Sequence, residues 1–134
     1  AFHEALRLTL EEGRAARAKS YAFHEAALRD AVQAMGCDVT SNMTSLIVLN
    51  LPGDLAGREM ELVQGCRAEG FGIWPTLSAP VQIRIGILNQ LSQVAITDIA
   101  MRFGQAMNRF GAGVDLDNIH ARLTERYGIS IAAE

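Results

Sequence analysis

The sequence predicts an α+β fold, a small and largely antiparallel sheet of three to four strands with helices packed on one face. Three observations lead there. Apolar residues recur at three- and four-residue spacing over the first 36 residues and again from about residue 92 onward. Between these blocks lie short apolar runs of strand length, one of them strictly alternating. The strand runs are joined by short links while the helices are gathered together, which is the pattern of an α+β sandwich.

The elements follow in order. Phe2, Ala5, Leu6 and Leu10 share one helical face, and Gly13 interrupts the helix. A second helix carries Ala18, Tyr21, Leu28, Val32 and Met35 on one stripe, and Gly36 stands where a helix ends in a left-handed residue. Glu11, Glu12, Arg14, Arg17, Arg29 and Asp30 are expected on the wet faces. Leu46-Ile47-Val48-Leu49 reads as a strand, stopped by Asn50 and the turn residues Pro52-Gly53-Asp54. A third helix, from about residue 57 to 69, would place Met60, Val63 and Cys66 on its buried side.

Ile73-Trp74 reads as a brief second strand. The clearest strand is the third, where Val81, Ile83, Ile85 and Ile87 alternate with Gln82, Arg84, Gly86 and Leu88. Ser92 suits the N-cap of a long helix to about residue 110, with Ile96, Ile99, Phe103, Met107 and Phe110 as its buried stripe. Gly111-Ala112-Gly113 links to a last helix with Leu116, Ile119 and Leu123 on one side, and Gly128-Ile129-Ser130-Ile131 reads as a possible closing strand. Glu69-Gly70-Phe71-Gly72-Ile73 and Glu125-Arg126-Tyr127-Gly128-Ile129 share a faint pattern, as two helix-to-strand passages would.

Composition narrows the function classes. A chain of 134 residues with 49% hydrophobic content folds around one core and is not disordered. A net charge of −3 with scattered arginines argues against a nucleic-acid partner. No apolar run reaches the roughly 18 residues of a membrane span, and the first residues lack the basic-then-apolar order of a secretory signal. The first residue is not Met, so a piece of a longer protein is expected. Cys37 and Cys66 have neither a second Cys nor a His at metal-ligand spacing, so two free thiols in a reducing cytoplasm are expected, with no metal.

Among candidate site residues Arg84 stands out. It sits mid-strand, opposite the isoleucine face, and a guanidinium on a rigid strand can grip a carboxylate through two parallel hydrogen bonds. The bland alternative is an arginine on the wet face of a half-buried sheet. Trp74 either packs on the core edge or walls a pocket near Arg84. His3, His24 and His120 lie apart from one another and from any nucleophile motif, and read as polar surface positions. Gly70 to Gly72 and Gly111 to Gly113 follow helices and do not open them, the wrong context for a phosphate cradle. Lys19 is the only lysine.

Taken together these pieces resemble a family. The run Glu4-Ala5-Leu6-Arg7-Leu8-Thr9-Leu10-Glu11-Glu12-Gly13 with Arg17, then Ala27-Leu28-Arg29 through Ala34-Met35-Gly36, Gly70-Phe71-Gly72-Ile73 and Ile83-Arg84-Ile85-Gly86, is similar to the C-terminal small domain of class V, fold-type I, pyridoxal-phosphate-dependent aminotransferases. The likeness covers about residues 2 to 110 and favours the alanine–glyoxylate and serine–pyruvate branch. Trp74-Pro75-Thr76-Leu77-Ser78-Ala79-Pro80 replaces that family's glycine-rich stretch, and residues 113–134 have no recognised counterpart.

The resemblance implies a small domain over residues 1–112 with a helical extension over 113–134. It implies that Arg84 binds the substrate carboxylate of an amino acid or 2-oxo acid. It also implies pyridoxal phosphate held in a large domain upstream, with no catalytic or cofactor-binding residue in this chain, and a homodimeric parent. Lys19 does not match the family's Schiff-base lysine, so the chain alone is expected to be inactive. The rival expectation is a free-standing, non-enzymatic α+β module that binds a ligand or a protein.

Overall fold

The alternating segment Ile83–Gly86 is strand β4, an inner strand of a four-stranded antiparallel sheet. The structure is a computed structural model that describes residues 1–87 and 91–133, the last five of these by their backbone alone. Ahead of β4 come helices α1 (Phe2–Glu12) and α2 (Arg14–Ala34) and strands β1 (Asp38–Val39) and β2 (Leu46–Asn50). A 3-10 turn (Gly53–Leu55), helix α3 (Glu59–Ala68) and strand β3 (Trp74–Pro75) follow. Helices α4 (Gln93–Arg109) and α5 (Leu116–Ala133) complete the chain. The strand order is β1-β2-β4-β3, with every pairing antiparallel. This is the α+β class read from the sequence.

The helix breaks fall where glycine allows them. Gly13 takes φ 84° and turns the chain sharply between α1 and α2. Gly36, at φ 92°, closes α2: its N–H donates to the Gln33 carbonyl, and the Cys37 N–H donates back to Val32 at 3.1 Å. That pair of bonds satisfies carbonyls that would otherwise be orphaned at the helix end. Ser92 caps α4, its hydroxyl accepting from the Ala95 N–H at 3.1 Å.

One face of the sheet builds the core. Ile47, Leu49, Ile83 and Ile85 are fully buried with Leu28 and Val32 of α2 and with Ile96, Phe103 and Met107 of α4. Each such side chain contributes roughly 1.5–3 kcal/mol by leaving water, so this face holds the layers together. Gly104 lets α4 approach its neighbours closely: a Cβ there would stand 2.8 Å from a methyl of Leu116.

Several expectations need correction. Residues 128–131 do not form a strand, because α5 continues through them. Ile119, Leu123 and Tyr127 recur every four residues and are buried against α2 and α4, and this packing carries the helix across the β-branched stretch. The faint repeat goes with it, since only its first copy passes from helix to strand. Met60 is exposed and Leu62 takes its place beside Val63 and Cys66, because on a 3.6-residue helix Met60 stands beyond the flank of that stripe. Ala18 is exposed, as is Val81, which lies beyond the last register pair, Pro75 with Ile83. Leu88 lies outside the described residues.

Arg29 is the largest departure from the expected wet face. It half-buries against Glu25, a carboxylate enclosed within the helical layer, and its Nε donates to Glu25 Oε1 at 2.7 Å. Its Nη2 also reaches the Ser41 carbonyl at 2.9 Å. The Ser41 hydroxyl in turn donates to the Leu46 carbonyl and accepts from the Val48 N–H, both at 3.0 Å. So the Arg29 guanidinium ties α2 to the β1–β2 connection, whose Ser41 hydroxyl is in turn bonded to β2. Among the described residues, no helix is long and apolar enough to cross a membrane.

Candidate carboxylate-binding site

Alternation along β4 decides where Arg84 stands. Ile83 and Ile85 enter the core, so Arg84 projects from the other face of the sheet. There the register sets it directly opposite Val48 on β2 and Trp74 on β3. Its Nε donates to the Pro75 carbonyl at 3.1 Å, which orients the guanidinium across the β3–β4 pair. Among the described residues no carboxylate pairs with Arg84, and its two terminal nitrogens carry no hydrogen bond. The geometry therefore presents an anchored, unpaired fork on a rigid strand, suited to two parallel bonds to a carboxylate.

Polar contacts fix the strand ends around it. The Thr76 N–H donates to the Gln82 carbonyl at 2.8 Å, and the Gln82 N–H donates to the Thr76 hydroxyl at 2.9 Å. The Gln82 amide donates onward to Thr40 Oγ1 at 3.0 Å and Asn50 Oδ1 at 3.1 Å. These bonds bind β4 to the β1–β2 hairpin on the same face as Arg84.

Trp74 settles between its two readings. It is 48% exposed and does not pack on the core edge; it stands on the face of Arg84. The order Ile73-Trp74 carried the signal: with Ile73 in the core, where it is fully buried, its neighbour along an extended strand points the opposite way. A Cβ on Gly72 would lie 3.5 Å from the indole, so the ring is folded back over that glycine.

The remaining candidates stay apart. His3 and His120 are exposed, as expected. His24 is half-buried, with Nδ1 2.7 Å from the Tyr127 hydroxyl, a link between α2 and α5 that the sequence reading missed. Burial lowers its pKa and favours the neutral ring. Burial pushes the Cys37 thiol up to about 12 and the Cys66 thiol up to about 11, which makes both poor nucleophiles. Lys19 is exposed on α2, a helix packed against the opposite face of the sheet from Arg84. Among the described residues no three His, Cys, Asp or Glu side chains gather as a metal site requires.

No protein-family model matches the chain, and no curated protein matches it either. Among solved structures, 93% of the chain superposes on ureidoglycine–glyoxylate aminotransferase from Bacillus subtilis with a TM-score of 0.81 and 22% sequence identity. The chain shares the fold of the matching segment of that enzyme. The chain spans 34% of the length of that enzyme.

Proposed function

We propose that this chain is the small domain of a pyridoxal-phosphate-dependent aminotransferase that moves an amino group between an amino acid and a 2-oxo acid, with Arg84 binding the substrate carboxylate. The observation that carries the reading is the fork of Arg84, tethered through Nε to Pro75 and left unpaired among the described residues. It gains support from the shared fold with an aminotransferase of different length. In this reading residues 1–112 form the domain proper and residues 113–134 add a helix to its helical layer. The exposed apolar side of α1, with Phe2, Leu6 and Leu10, faces the large domain. The parent is a cytoplasmic homodimer.

The residues of this chain do not fit the cofactor itself. Lys19, the single lysine, stands on the helical side of the sheet while Arg84 faces away from it. Pyridoxal phosphate supplies the electron sink from a site in the large domain. The work assigned to this chain is orientation. Two bonds from Arg84 to a carboxylate hold the substrate Cα in one pose, and the sheet beneath keeps the guanidinium in place.

The test is Arg84→Lys in the protein joined to its large domain. An ammonium cannot reproduce the fork, so kcat/KM should fall about ten- to a hundredfold, the equivalent of roughly 1.5–3 kcal/mol. The melting temperature should hardly change, because the side chain lies on the face away from the core. Unchanged kinetics would remove Arg84 from the site, and with it the residue-level support for carboxylate binding by this chain.

A further inference from the structure

The chain has a single tryptophan, and nearly half of it is in water beside Arg84. We propose that Trp74 is the specificity-determining wall of the site, favouring substrates whose α-substituent is planar or bulky and apolar over small or acidic ones. The inference rests on the carboxylate reading of Arg84.

Two observations on this strand pair support it. Trp74 and Arg84 are direct cross-strand partners, which puts their Cα atoms roughly 4.5–5.5 Å apart with side chains on the same face. The two side chains lean in opposite directions: the indole folds over Gly72, whereas the guanidinium reaches toward the Pro75 carbonyl. The pair therefore presents a cation toward one side and an aromatic ring toward the other on the same face of the sheet. A carboxylate seated in the fork brings its α-substituent over this face, beside the ring of the adjacent Trp74.

The surroundings argue the same way about charge. Around Arg84 on this face the register places Val48, Leu46, Gly86 and Gln82, none of them charged. The Gln82 amide is already engaged by Thr40 and Asn50. A second carboxylate on the substrate therefore meets no second cation among these neighbours, and its desolvation goes uncompensated. A phenyl or long alkyl group instead covers indole surface that is now wet.

One tryptophan gives one indole N–H resonance, so the test is direct. The ¹⁵N-labelled protein is titrated with propionate and with 3-phenylpropionate. The expected result is a saturable shift of the Trp74 indole signal with 3-phenylpropionate and about tenfold tighter binding than propionate. Trp74→Ala should bring the two probes within about twofold of each other, Trp74→Phe should keep most of the preference, and Arg84→Lys should weaken both. Equal affinities that both depend on Arg84 would overturn the role of Trp74 and leave the carboxylate site standing. Binding of neither probe through Arg84 would overturn the carboxylate reading and this inference with it. Phenylpropionate binding that survives Arg84→Lys would mark Trp74 as an apolar patch unrelated to substrate selection.

Discussion

Replacing Arg29 by methionine should be among the most damaging single changes on the surface of α2. The Glu25 side chain is 9% exposed and that of Arg29 is 27% exposed, so the pair is closer to a buried ion pair than to a surface one. Arg29 donates through Nε and Nη2 to the same Glu25 oxygen and also to the Ser41 carbonyl. Removing it strands a carboxylate inside the helical layer and frees the Ser41 carbonyl in the β1–β2 connection. Breaking a buried pair from one side costs about 3–5 kcal/mol, and partial exposure of Arg29 places this case near 3. At this chain length that is a drop in melting temperature of roughly 10 °C. The double variant Glu25→Met, Arg29→Met should recover to within about 1 kcal/mol of the parent, because no uncompensated charge remains. Urea unfolding followed by far-ultraviolet circular dichroism measures all three, with the slope checked for constancy. A single variant within about 0.5 kcal/mol of the parent, or a double variant as unstable as the single, would refute the argument from one-sided burial.

Two further outcomes follow from the titrating groups. His24 is held neutral by burial, its pKa below the ordinary 6.5, so the unfolded chain binds the extra proton first; stability should fall as pH drops from about 6.5 through the lowered native value, and His24→Phe should flatten that slope when unfolding is measured from pH 7.5 to 5.5. Cys37 and Cys66, with thiols near 12 and 11, should label with a thiol reagent at pH 8 only at the rate at which the fold opens; a fast-reacting thiol in the native protein would contradict their burial.

What the sequence made legible followed from periodicity with a strong signal. Ile96, Phe103 and Met107 marked the buried side of α4, Ser92 marked its start, and the Ile83 to Ile87 alternation placed Arg84 on the outer face. Readings failed where tertiary contacts overrule local pattern. The two-residue strands β1 and β3 exist because of their neighbours, and no propensity marks Asp38–Val39. The Gly128–Ile131 segment has the look of a strand, yet Ile119, Leu123 and Tyr127 had already committed that stretch to a helix. Arg29 looked solvated because its partner, Glu25, is an acid that seldom occupies a buried position. At the site the fork was visible from sequence, whereas its tether to Pro75 was not, since a side-chain bond to a carbonyl nine residues away leaves no trace in spacing.

The outer strands of the sheet carry a consequence for how this protein keeps company. An unpaired strand edge is a template on which another chain can extend the ladder. Here both edges are only two residues long, and one of them, Trp74–Pro75, includes a proline with no N–H to offer. Neither border can recruit a foreign strand over any useful length. The broad face bearing Arg84 is thus left open to visitors arriving from above, while the rim beside it is closed to the lateral growth that turns exposed sheets into fibres.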